Sequence, residues 1–165
     1  MESYQKKYAK YTTYSIPPHI TIYPPFYLKN ISEKQLFTKL DKIFVKTECD
    51  TVTFNSVDYF EGKNNVAFVK PDSKSQKYIA SLLEKMVKSL AGNIVNVYGE
   101  YNITSAKFNP HMTIAEKIPD NHLPKIKSEL SSFRNIFKFN VKAVFVFKQN
   151  TAVKRWKLLQ EISFA

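Results

Sequence analysis

Two histidines in this 165-residue chain sit in nearly the same surroundings. Residues 17–26 read PPHITIYPPF and residues 109–116 read NPHMTIAE, so Pro, His, an apolar residue, Thr and Ile recur in one order. The chain has only 3 histidines, and two of them carry Thr at the second position after the ring. From composition that threonine coincidence alone has odds of roughly one in a hundred. A single short match is ordinarily a strand position beside a hydroxyl; the pair asks for a common explanation.

The residue types suit proton transfer around an anion. An imidazole titrates near neutral pH, so of His19 and His111 one can take a proton from an attacking hydroxyl or water while the other protonates a leaving oxygen. The hydroxyls of Thr21 and Thr113 can donate hydrogen bonds to non-bridging phosphate oxygens, where charge concentrates during phosphoryl transfer. Two histidines from separate strands leave a zinc ion short of ligands, and threonine is a poor one, so no metal and no cofactor is expected. Cys49 is the only cysteine. It excludes an internal disulfide and a thiolate zinc site, and nothing around it suggests an activated nucleophile.

The elements that must position these groups read as follows. Residues 19–23 alternate polar and apolar side chains between prolines and predict a short strand, with His19 and Thr21 on one face and Ile20 and Ile22 on the other. Ser32, with Gln35 in capping-box register, opens a helix whose inward face is Leu36, Phe37, Leu40, Ile43 and Phe44. TVTFNSVDYF and NNVAFVK predict two strands joined around residues 61–64. A helix follows over 73–90, with Ile79, Leu82, Leu83, Met86, Val87 and Leu90 at a 3.6-residue period and Gly92 just past its end.

In the second half a strand is expected around 94–98. A strand carrying His111 and Thr113 comes next, then a helix over about 121–133 with Asp120 as its cap and Leu123, Ile126 and Leu130 inward. FKFNVKAVFVFK and RWKLLQEISF flank QNTAVK as a second hairpin. The order strand, helix, strand, turn, strand thus occurs twice, a weak repeat at the level of elements. It predicts one α+β domain over 1–165 with two pseudo-symmetric antiparallel-sheet lobes, about 15–90 and about 91–165, with strands free to exchange between them. The two motifs would then converge on a central cleft.

Composition narrows the partners. With 44% hydrophobic residues the chain can bury a core, and a net charge of +11 spread along its length fits a phosphate-bearing partner such as RNA or a nucleotide. The N-terminus lacks a signal-peptide stretch and no window is long and apolar enough to cross a bilayer, so no membrane and a cytoplasmic setting are expected.

His19-Ile20-Thr21-Ile22, His111-Met112-Thr113-Ile114 and the repeated element order resemble the 2H phosphoesterase superfamily, which includes the LigT-like 2′-5′ RNA ligases and 2′,3′-cyclic phosphodiesterases. YQKKYAKYTTYSIPP and VFVFKQNTAVKRWKLLQEISF extend the likeness over nearly the whole chain. The resemblance implies a bilobal fold with a basic cleft and metal-independent opening of a cyclic phosphate. It also implies His19 as acid, His111 as base, and Thr21 and Thr113 on the phosphate.

Such proteins usually begin with a further strand, whereas here 18 residues precede His19. A sheet edge left open there would invite pairing, so a monomer is expected with a dimer as the alternative. Tyr23 continues the alternation of His19 and Thr21 and could stack on a base, and Lys154 and Arg155 beside the second turn could steer phosphate. His122 reads as an exposed residue and not as a third catalyst.

Three functions follow from these features. The first is hydrolysis of 2′,3′-cyclic phosphate ends of RNA or nucleotides to 2′-phosphates, with 2′-5′ ligation as the reverse. The second is an RNA-binding module without turnover. The third is phosphodiester hydrolysis of a small nucleotide, such as a cyclic phosphate of ADP-ribose or a 2′-5′ oligoadenylate.

Overall fold

The structure is a computed structural model, described over residues 1–12, 16–98, 107–150, 152–153 and 155–165. Helix α1 (Glu2–Lys7) and a 3₁₀ turn (Ala9–Tyr11) lead to β1 (Phe26–Leu28), α2 (Glu33–Phe44), β2 (Asp50–Phe60), β3 (Asn65–Pro71) and α3 (Ser73–Leu90). Then come β4 (Ile94–Asn96), β5 (Met112–Ile118), α4 (Leu123–Leu130), β6 (Phe137–Val141), β7 (Ala143–Asn150) and β8 (Arg155–Ser163). The β1–β4, β2–β3, β3–β5 and β7–β8 pairs are all antiparallel, which makes the fold α+β.

Contacts gather the chain into two compact units, each drawn from three stretches. One comprises Met1–Thr21, Val52–Gln76 and Asn109–Phe139, and the other Ile22–Thr51, Lys77–Phe108 and Asn140–Ala165.

The second unit is built on amphipathic helices. Ser32 Oγ accepts from the backbone of Gln35, and the Gln35 side chain accepts in return from the Ser32 N–H, so two orphan donors at the start of α2 are satisfied reciprocally. The helix buries Leu36, Leu40 and Phe44, at the spacing the sequence predicts, with Leu82, Met86 and Leu90 of α3 and with Val144, Ile162 and Phe164. Phe44 and Phe164 stack at 5.4 Å between centroids. At the far end of α3, Gly92 has φ +75°, the left-handed conformation that a glycine adopts without cost.

The first unit is built on the four-stranded sheet, order β5-β3-β2-β6. Phe54, Ala67, Phe68, Val69, Met112, Ile114 and Ala115 are fully or almost fully buried in it. Strand β5 stands at its edge, and α1 and the 3₁₀ turn pack against it.

Three expectations need correction. Residues 19–23 form no strand, and the nearest one, β1, begins at Phe26 and pairs with β4. Prolines at 17, 18, 24 and 25 explain this: they remove backbone donors and bias their predecessors away from a regular ladder. Asp120 does not cap α4. Position His122 is the N-cap, and the Asp120 carboxylate accepts from Asn65 Nδ2 at 2.7 Å. Finally, FKFNVKAVFVFK is two strands that part at Lys142, β6 joining the four-stranded sheet and β7 pairing with β8. Residues 99–106, before the second motif, lie outside the described residues.

The packing fixes a stability order. Leu40, 2% exposed, loses a buried side chain on substitution, so Leu40→Ala should destabilise by about 2–5 kcal/mol. Ser32→Ala loses only an exposed cap and should cost about 1 kcal/mol. Urea denaturation of the two variants would show this order, and equal midpoints would contradict it.

Candidate active site

Backbone geometry fixes both imidazoles in the same way. His19 Nδ1 lies 2.9 Å from the carbonyl oxygen of Pro17, and His111 Nδ1 lies 2.8 Å from that of Asn109. A carbonyl can only accept, so Nδ1 carries the proton in each ring, and Nε2 is left as the nitrogen that can take or give one. In both cases the partner lies two residues back and a proline intervenes, Pro18 or Pro110.

The two histidines belong to the same unit, and His19 acts electrostatically on His111. The His111 pKa is lowered chiefly by burial, which the hydrogen bond to Asn109 partly offsets, with a lesser lowering contribution from His19. The burial has an identifiable source. The His111 ring meets Phe60 edge-on at 5.1 Å and Phe68 at 5.0 Å, and those two rings lie 4.3 Å apart. Low-dielectric neighbours disfavour the imidazolium, so the neutral ring, with its lone pair on Nε2, is favoured at His111.

Thr113 lies in β5 opposite Phe68, on the same face as His111, and both are half-buried while Met112 and Ile114 point into the core. Its carbonyl accepts from Gln5 Nε2 at 3.0 Å. Thr21 is exposed, two residues after His19 in the same unit. The structure therefore brings His19, Thr21, His111 and Thr113 into one compact unit. It can support acid–base chemistry between imidazoles beside hydroxyl donors.

Two further sequence candidates, Tyr23 and Arg155, belong to the second unit. Tyr23 belongs to the second unit, where it packs against the core, meets Phe26 edge-on at 5.7 Å, and has its phenol pKa raised by burial. Arg155 is exposed at the start of β8, opposite Asn150. Lys154 lies outside the described residues. His122 is exposed and meets the Tyr11 hydroxyl through Nδ1 at 2.8 Å.

The sequence reading missed the walls of the site. Phe60 and Phe68 read as ordinary alternating residues of a hairpin. On the same sheet face Lys70 pairs with Asp58 at 2.8 Å, and Lys70 stands one register step beyond the Val69–Met112 pair, beside His111. Alternation in β2 and β3 could have put these side chains on one face, but only the β3–β5 register puts that face under His111.

A separate hollow of about 540 Å³ in the first unit contains none of these groups. Its buried Asn65 bonds Ile118, Asp120 and Gly62, and Lys127 is paired with Glu61, so its polar groups are already engaged with one another. Among the described residues no three His, Cys, Asp or Glu side chains form a group able to hold a metal ion. None of the described helices is long and apolar enough to cross a membrane.

The His111 environment predicts a titration order. Because the pKa is lower in the folded chain than in the unfolded one, the associated stability is present above the unfolded value and is lost as pH falls through the folded one. By NMR, His111 should titrate below an unstructured histidine. Phe60→Ala should raise its pKa more than His19→Gln does, since burial outweighs the neighbouring charge. The reverse order would refute burial as the main cause.

Comparison with known proteins identifies the family. The chain is 26% identical over 128 residues to a protein of Geobacillus sp. (strain WCH70) whose name proposes a phosphoesterase, an alignment covering 78% of this chain and 67% of that one. The family model described as the 2′-5′ RNA ligase superfamily matches residues 1–152, both histidine motifs included. With that match over nearly its whole length, the chain belongs to the 2′-5′ RNA ligase superfamily, a family of phosphoesterase chemistry.

Proposed function

We propose that this protein is a metal-independent cyclic phosphodiesterase that opens 2′,3′-cyclic phosphate ends of RNA or nucleotides to 2′-phosphates. The observation that carries this reading is the matched pair of imidazoles, each with Nδ1 committed to a carbonyl and one of them held neutral by burial.

In the reaction, His111 Nε2 takes a proton from water as its oxygen attacks phosphorus. The bond from phosphorus to the ribose 3′ oxygen breaks, and His19 gives that oxygen its proton from Nε2. The hydroxyls of Thr21 and Thr113 bond the non-bridging oxygens, which carry the developing charge. A 5′-hydroxyl in place of the attacking water, with the same two proton transfers, would form a 2′-5′ linkage from the cyclic phosphate and leave a free 3′-hydroxyl. The cyclic phosphate is therefore the species common to hydrolysis and ligation. The net charge of +11 supports attraction of such an anion.

Product analysis with a 2′,3′-cyclic-phosphate oligonucleotide in EDTA tests the reading. The intact protein should release a 2′-phosphate, and His19→Ala and His111→Ala should each reduce kcat by about 10²–10⁴-fold. RNA bound without any product would favour a binding module instead. Turnover of a small cyclic nucleotide alone would move the substrate to that class.

A further inference from the structure

We propose that Gln5 is a positioning residue for the second motif, its side-chain amide fixing the Thr113 backbone and hence the hydroxyl used in the reaction proposed above. The proposal begins from a weak point in the sheet. Among the described residues strand β5 has a single strand neighbour, and its register with β3 slips between the Ala67–Ala115 and Phe68–Thr113 pairs, so β5 holds one extra residue there. A bulge disrupts the local ladder and lets the bulged strand bend. Thr113 sits at that slip.

At this residue a side chain bonds the backbone of β5. Gln5 Nε2 donates to the Thr113 carbonyl at 3.0 Å across 108 positions of sequence. An oxygen acceptor demands the amide NH₂, which also sets the orientation of the glutamine side chain.

Gln5 is itself held on both sides. Tyr4 accepts from Asn135 Nδ2 at 2.5 Å and packs on Phe133 at 5.4 Å. Tyr8, buried, donates to Glu129 at 2.8 Å, and Lys7 pairs with the same carboxylate at 3.1 Å. Tyr11 meets His122 at 2.8 Å. Tyrosines at 4, 8 and 11 thus clamp the segment to residues 122–135, and Gln5 is presented to β5 from a fixed base.

Gln5→Glu keeps the shape but removes the donor, and Gln5→Lys restores a donor at the end of a similar chain. Tyr8→Phe is the control: it removes the hydroxyl that anchors the same segment to Glu129 and leaves the Gln5 amide in place. We expect Gln5→Glu to speed amide exchange in residues 112–115 and to lower kcat on the cyclic-phosphate oligonucleotide by about ten-fold with KM little changed. Gln5→Lys should recover most of that loss, and Tyr8→Phe should keep kcat despite lower stability.

A role exercised through Thr113 also requires non-additivity, so Gln5→Glu combined with Thr113→Ala should be no slower than Thr113→Ala alone. Additive losses, or unchanged exchange at 112–115 in Gln5→Glu, would overturn the proposal. If the intact protein proved inactive on cyclic phosphates, the proposed reaction would fall, and the exchange arm would still decide whether Gln5 fixes Thr113.

Discussion

The bond from each histidine's Nδ1 to the carbonyl two residues earlier is the constraint on which the site depends. It decides the tautomer, and the tautomer decides which nitrogen can do chemistry. The intervening proline explains why the same bond forms twice. Proline fixes its own φ and drives the residue before it into an extended conformation, so the carbonyl at that residue is pre-oriented before the ring arrives. The prolines before His19 and His111 are therefore part of the chemical motif.

This local constraint lets two different backbones hold equivalent rings. The first motif lies in a segment without ladder pairing, bounded by prolines on both sides. The second lies at the head of an edge strand. What recurs between the two halves is thus the hydrogen-bond geometry of Pro-His, and not the secondary structure around it. That accounts for the near absence of sequence identity outside the motifs: a pattern of three or four residues is enough to set each ring.

Much of the framework could be read from periodicity. The α2 capping box, the inward faces of α2 and α3 and the β2–β3 hairpin all depend on contacts within a few residues, where spacing is a direct physical signal. The motif residues were legible for the same reason. The errors arose where local and distant forces compete. Residues 19–23 have strand-forming side chains, but their flanking prolines deny the ladder its donors. The Phe60–Phe68–His111 contact depends on the register of two strands far apart in sequence, which alternation within each cannot specify.

The aromatic contact also shows how two identical tautomers could divide the work in the proposed reaction. Hydrogen bonding makes the rings alike, so any difference between acid and base must come from their surroundings. Phe60 and Phe68 pack against the half-buried His111, and the nearby His19 adds to the cost of charging it. Both effects hold His111 in the form that accepts a proton. In the proposed reaction the division of roles would therefore rest on apolar packing as much as on charge, and a substitution that left both histidines and both threonines in place could still erase it by wetting one ring.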